Sequence, residues 1–145
     1  MKAVFKATAE RVNEQKKMKV TTGGFSFEVD EPKAEGICPE AQNPIETLLG
    51  ALAACQSIVA YSLAPSFKIN LKSFKVEAEG AMDTSAKPGG KIPIGLTEIH
   101  VAYQIKTDTD KATVEKFLKK VEAICPVGNT LAREVNVIVT SVTYL

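Results

Sequence analysis

The sequence predicts an α+β fold, with mainly antiparallel sheets around one long central helix. One observation behind this is an apolar stretch near the middle of the chain, NPIETLLGALAACQSIVAYSL, running from Asn43 to Leu63. A second is that segments on both sides of it alternate apolar and polar residues, the period of a half-buried strand. A third is a separate stretch, residues 110–124, whose apolar residues recur at helical spacing with lysines between them. Strands, a long helix, more strands, an amphipathic helix and a last strand make the order of an α+β domain.

Taken in turn, residues 2–9 and 17–22 read as strands, and FSFEVD follows the turn at Thr22, Gly23 and Gly24 with Phe25, Phe27 and Val29 on one face. These three segments predict an antiparallel meander. Residues 31–42, with Pro32, Gly36 and Pro39, lack periodicity and read as a loop. The central helix then has its own start signal. Asn43 suits the N-cap, Pro44 the first helical position, and Glu46 the third, from which a carboxylate reaches back to the cap. Ile45, Leu48, Leu49, Leu52, Val59 and Leu63 recur at three- and four-residue spacing, and alanines fill much of the remaining circumference. A helix with so little polar surface is expected to be buried on most sides. Pro65 closes it. Residues 72–82 and 96–107 read as half-exposed strands separated by a long turn. Thr109 or Asp108 is placed to cap the second helix, 110–124, and a short helix, 126–132, follows Cys125. VNVIVTSVTYL, 135–145, reads as a final strand.

The chain has 145 residues, enough for a single domain, 1–145, with a sizeable core. Its formal charge of +1 gives no electrostatic case for nucleic acid or an anionic membrane. The N-terminus lacks the apolar block of a signal peptide, and Gln56, Ser57, Tyr61 and Ser62 interrupt the central stretch, so it reads as a core helix and not a membrane span. The expected compartment is the cytoplasm. Three widely spaced cysteines, Cys38, Cys55 and Cys125, do not form a secreted disulfide framework. With no CxxC pair and a single histidine, His100, no zinc site and no cofactor is expected.

Each chemistry-bearing residue has two readings. Cys55 lies on an apolar helix face, where a cysteine packs as a small hydrophobe or, given a nearby cation or donor, acts as a thiolate. Cys125 is either a linker cysteine or the N-cap of the helix begun by Pro126, where backbone N–H groups favour the thiolate. Glu46 is either a capping partner or a carboxylate that orients a cation beside Cys55. Cys55 lies nine residues beyond Glu46, roughly 13–14 Å along a helix, so another segment or a second subunit would have to bridge them. Cys38 reads as incidental, and His100 as a solvated residue beside Glu98 and Gln104.

Two motifs taken together carry a resemblance. NPIETLLGALAAC, with an acidic residue early in a long apolar helix ending in AAC, resembles the central-helix motif of the OsmC/Ohr family. CPVGNTL is similar to that family's second cysteine motif. The order of elements matches over essentially the whole chain. The resemblance implies an intertwined homodimer in which the long helices of two subunits pack together and the active sites lie at the interface. It implies thiol-dependent reduction of organic hydroperoxides in oxidative stress defence: Cys55 as peroxidatic thiolate, Cys125 as resolving cysteine, and a dithiol reductant such as lipoyl groups restoring both. Glu46 matches the acidic residue that holds an arginine over the peroxidatic sulfur. Here the chain departs from the pattern. Before the central helix it has only Arg11, within the first strand or its turn, and the loop offers only Lys33, which lacks the planar fork of an arginine. This reads as a divergent branch. Two alternatives stay open: a redox-sensing or structural-disulfide protein without peroxidase activity, and a module binding a small hydrophobic ligand.

Overall fold

The structure, a computed structural model, describes residues 1–12, 16–31 and 38–145. Two compact units divide the chain, Met1–Gly50 and Ala51–Leu145. Pro32, Lys33 and Gly36 of the predicted loop lie outside the described residues.

The first unit holds a meander of three strands, β1 (Ala7–Arg11), β2 (Met18–Thr22) and β3 (Phe25–Val29), antiparallel throughout. Gly23 and Gly24 both have positive φ, which is what lets the β2–β3 hairpin close in two residues. Ala7 pairs with Thr22, and Val20 with Phe27. The predicted first strand, 2–9, is corrected: pairing starts at Ala7, because β2 ends at Thr22 and offers no partner to Val4 and Phe5, which are exposed. Val29 is buried, whereas Phe25 and Phe27 are exposed. Asp30 directly follows the meander's last strand. Its buried carboxylate accepts from the backbone N–H groups of Glu31 (2.9 Å) and Glu40 (3.0 Å), so it ties the two sides of the loop together.

The central helix, α1 (Pro44–Leu63), starts as its sequence predicts. Asn43 Oδ1 accepts from the Glu46 N–H and Glu46 Oε2 from the Asn43 N–H, both at 2.8 Å, a reciprocal capping box. Its serine hydroxyls are satisfied within the helix, Ser57 donating back to Ala53 O and Ser62 to Ile58 O. Past Leu63 a 3₁₀ turn over Ala64–Phe67 contains Pro65, and Lys68 ends it in the left-handed conformation. By length and composition Pro44–Phe67 meets the criterion of a membrane span, a criterion that core helices also meet. The single chain covers only part of α1, which the sequence places at the centre of a domain or an assembly. Leu52, Gln56 and Ala60 are buried, while Leu48, Ile58 and Tyr61 are exposed.

In the second unit, β4 (Ser73–Ala81) and β5 (Glu98–Lys106) form an antiparallel pair, Val76 opposite Tyr103. One face of this pair carries Phe74 and Ile105 onto a core made of Ala60, Ala64, Ile69, Phe117 and Val121. Phe117 and Val121 come from α2 (Lys111–Ile124). The cap of α2 is Asp110, not Thr109 or Asp108 as the sequence reading had it. Asp110 Oδ1 accepts from the Thr113 N–H at 3.0 Å, while Asp108 is paired with Lys72 and the Thr109 hydroxyl with Thr107. Then comes α3 (Pro126–Leu131). The predicted strand 135–145 is not found. Val135, Val137, Ile138, Val139, Val142 and Tyr144 are all exposed, and none of the described strands pairs with the segment, which leaves it without the neighbour that a strand requires.

Candidate functional site

The second unit brings Cys55 and Cys125 together. Cys55 is half-buried on α1, five residues before Ala60, which is buried against Phe117 and Val121 of α2. Cys125 stands between α2 and α3 and is fully buried. Their sulfurs lie 3.3 Å apart, with the Cys125 thiol placed to donate to Cys55 Sγ. A disulfide needs about 2.05 Å between sulfurs, so little movement separates this pair from a covalent bond. The turn that carries Cys125 is well fastened. Asn129 donates its side-chain amide to Ala123 O (3.1 Å) and to Cys125 O (2.9 Å), and Pro126 fixes the first residue of α3.

The electrostatics of Cys125 are a balance. Burial pushes its thiol up, the Gly128 N–H that donates to Cys125 Sγ at 3.3 Å pulls it down, and the adjacent Cys55 pushes it up again. The net direction is upward. Cys125 does sit at a helix start, but its burial and its sulfur neighbour outweigh the N–H groups of a helix only six residues long. A thiol held protonated beside a second sulfur suits a residue that reacts second.

Three polar residues adjoin the pair that the sequence reading did not assign. Gln56, next to Cys55, is only 5% exposed, and its amide oxygen accepts from the Tyr103 hydroxyl at 2.9 Å. Tyr103 stacks on Phe74 with ring centroids 5.6 Å apart. Burial first, then the Glu122 carboxylate, then Cys125 push the Tyr103 phenol up to about 12, so it is a neutral hydroxyl throughout the physiological range. The signal for this cluster was present in the sequence: a glutamine beside a cysteine on an apolar helix must find a partner if buried.

The other predicted site residues are placed differently. Glu46 belongs to the first unit, and its hydrogen bonds are those of the α1 cap. Arg11 ends β1 opposite Met18. Cys38 is exposed. His100 is exposed and paired with Glu98 at 3.0 Å, which raises its pKa. Among the described residues no group of three or more histidine, cysteine, aspartate or glutamate side chains could hold a metal ion.

Known proteins share both the sequence and the fold. The chain is 29% identical over 123 residues to a protein of Mycoplasma pneumoniae named hydroperoxide reductase, covering 83% of this chain and 82% of that one. A hydroperoxide reductase of Mycoplasma genitalium is 25% identical over the same shares of the two chains. The crystal structure of an OsmC-like protein from M. pneumoniae superposes with a TM-score of 0.79 at 26% identity, over 91% of this chain and 89% of that one. An organic hydroperoxide resistance protein from Elizabethkingia anophelis shares the fold at a TM-score of 0.68 and 22% identity, over 89% and 88%. The α+β architecture, antiparallel sheets with a long helix, is thus the OsmC-like fold. Residues 35–140 match the family model described as OsmC-like protein, and the chain belongs to that family.

Proposed function

We propose that this chain is a thiol-dependent reductase of organic hydroperoxides that works in oxidative stress defence. The observation that carries the reading is the 3.3 Å approach of the Cys55 and Cys125 sulfurs. The two Mycoplasma relatives named hydroperoxide reductase support it.

In this reading Cys55, the less buried of the two, is the nucleophile. Its thiolate attacks the distal peroxide oxygen, the O–O bond breaks, and the alkoxide takes a proton and leaves as the alcohol. Cys55 becomes a sulfenic acid. Cys125 then attacks that sulfur, its thiol proton leaves with the hydroxyl as water, and a disulfide forms. A dithiol such as a reduced lipoyl group restores both thiols by exchange through a mixed disulfide. Glu46 serves as cap and as the acidic residue that orients a cation at the site. The chain carries only two arginines, Arg11 and Arg133, and we read it as a branch without the family's usual site arginine.

The working unit is a homodimer, with residues 1–145 as one OsmC-like domain per subunit, located in the cytoplasm, where thiols are kept reduced. The exposed face of α1 at Leu48, Ile58 and Tyr61 and the unpaired apolar segment 135–145 support this, since each is what a second subunit would cover. Wild type is expected to sediment as a dimer, and removal of residues 134–145 to yield monomer or aggregate. A wild-type monomer would remove the dimeric reading.

Activity is tested with cumene hydroperoxide and dihydrolipoamide. Cys55→Ser abolishes consumption. Cys125→Ser leaves one turnover and a sulfenic acid that a 1,3-dione traps. Absence of turnover in wild type with dihydrolipoamide and with dithiothreitol overturns the peroxidase reading. The same sulfur approach then favours a sensing or structural disulfide, which would form without peroxide and whose loss would lower the melting temperature. An apolar cavity of about 220 Å³ beside Ile58, Val59, Ser62, Leu63 and Ile124 favours the third reading, a module for a small hydrophobic ligand. Ligand affinity unchanged by either cysteine substitution would distinguish it.

A further inference from the structure

The peroxidase reading leaves the polar residues beside the cysteine pair without a task. Gln56 is nearly sealed from solvent, the one polar residue among the buried positions of α1 (Leu52, Gln56 and Ala60), and its oxygen is taken by the Tyr103 hydroxyl at 2.9 Å. A buried amide and a phenol placed there for packing alone would be a poor choice, because an apolar pair of the same shape would avoid desolvating both. Gln56 adjoins Cys55 in the chain, and Tyr103 reaches the same point from β5. The Glu122 carboxylate and the Cys125 sulfur are both close enough to Tyr103 to act on it electrostatically. Glu122 also holds the Cys125 turn, its backbone carbonyl accepting from the Cys125 N–H at 3.4 Å. The Tyr103–Gln56 bond therefore joins α1, which carries Cys55, to the sheet, beside the turn that carries Cys125.

We propose that Tyr103 and Gln56 are positioning residues for the resolving step: their hydrogen bond holds the Cys55 segment in register with the Cys125 turn, so that the Cys125 sulfur meets the Cys55 sulfenic acid in line. The inference rests on the two-cysteine reading above. In the step concerned, the S–S bond forms, the S–O bond of the sulfenic acid breaks, and the thiol proton of Cys125 leaves with that oxygen as water. No further oxidant or reductant enters. The titratable groups around this point are Cys55 from α1, Tyr103 from β5, and Glu122 from α2. Tyr103, being neutral, sets hydrogen-bond geometry there and adds no charge.

The test separates the two steps in a single turnover with cumene hydroperoxide. Sulfenic acid formation is followed by 1,3-dione labelling, and disulfide closure by loss of free thiol. In Tyr103→Phe, which keeps the ring stacked on Phe74, closure is expected to slow about tenfold relative to sulfenic acid formation, and the pH profile of closure to shift. Gln56→Leu should reproduce the ratio. Gln56→Asn, with a shorter reach, should fall between wild type and Gln56→Leu. Equal ratios and unshifted pH profiles in folded Tyr103→Phe and Gln56→Leu overturn the inference while leaving the peroxidase reading intact. Absence of sulfenic acid in Cys125→Ser, together with no disulfide formed by peroxide in wild type, overturns the peroxidase reading itself, a different result from a changed ratio. If Gln56→Leu fails to fold, Tyr103→Phe decides alone.

Discussion

The two sheets of this chain were built from the same kind of sequence and ended differently. In the second unit, β4 and β5 are nine residues each and alternate half-buried with exposed along their whole length. Their inner face is covered by the Phe117 side of α2 and the Ala60 stripe of α1. In the first unit the strands are five residues each, and β1 is exposed throughout. Phe25 and Phe27 alternate with polar residues as well as Phe74 and Val76 do, yet among the described residues both are exposed. Alternation declares that a strand has an apolar face. It does not declare which element, or which subunit, lies against it.

The largest test of this difference compares two phenylalanines. Phe117 is 0% exposed and packs edge-on against Phe67 at 5.6 Å, so Phe117→Ala is expected to cost about 3–5 kcal/mol by urea denaturation. Phe25 is 80% exposed, and Phe25→Ala should change the stability of an isolated chain by no more than about 0.5 kcal/mol. If a second subunit covers that sheet, the Phe25→Ala cost grows, and the unfolding midpoint depends on protein concentration. A concentration-independent midpoint with a large Phe25→Ala effect would mean that Phe25 is covered within the single chain.

The same contrast governs how much of the molecule was legible in the sequence. Elements whose signals are local were found within a residue or two. Asn43 and Glu46 give α1 its start, Pro126 gives α3 its start, and the alternation in 73–81 and 98–106 gives β4 and β5. The cap of α2 was misplaced because Asp108, Thr109 and Asp110 are all competent caps in sequence. Pairing of Asp108 with Lys72 and of Thr109 with Thr107, which leaves Asp110 to accept from Thr113, is a tertiary fact. Segment 135–145 has the composition of a strand, but a strand is defined by its neighbour, and among the described residues it has none. At the site, the approach of the two cysteines followed from family resemblance and not from spacing. Gln56 and Tyr103 went unassigned because their meeting depends on how β5 packs on α1.

Helix starts offer a finer comparison. Asn43 caps α1 with a neutral amide, and Asn43→Ala should cost about 1 kcal/mol in thermal or chemical unfolding. Asp110 caps α2 with a carboxylate. The Thr113 N–H that it accepts holds its carboxyl below the usual carboxylate value. A carboxyl whose folded pKa is depressed contributes stability above its unfolded value, and that contribution is lost as pH falls through the folded one. Acid titration of stability should therefore show an Asp110 component below about pH 4. Asp110→Asn keeps an acceptor at the cap and should flatten that component while leaving neutral-pH stability nearly unchanged. An unaltered acid slope in Asp110→Asn would assign the pH dependence to other carboxylates.

The smallest expected effect comes from two residues that share a backbone conformation and differ in side chain. Gly24 closes the β2–β3 turn at φ 84°, and Lys68 ends the 3₁₀ turn after α1 at φ 55°. Glycine occupies the left-handed region without steric penalty, whereas a lysine there brings its Cβ close to backbone oxygen. Lys68 tolerates the conformation because its N–H bonds to Pro65 O at 3.0 Å and the following Ile69 N–H to Ala64 O at 3.0 Å, next to a buried Ile69. Lys68→Gly should relieve the strain but loosen the unfolded chain, for a net gain of no more than about 1 kcal/mol. Gly24→Ala imposes the strain where no core anchors the turn, and should cost about 1 kcal/mol or more. Opposite signs in the two melting temperatures support the assignment. Destabilisation by Lys68→Gly would instead mean that Lys68 contributes through its side chain, and the exchange would then be read against Lys68→Ala.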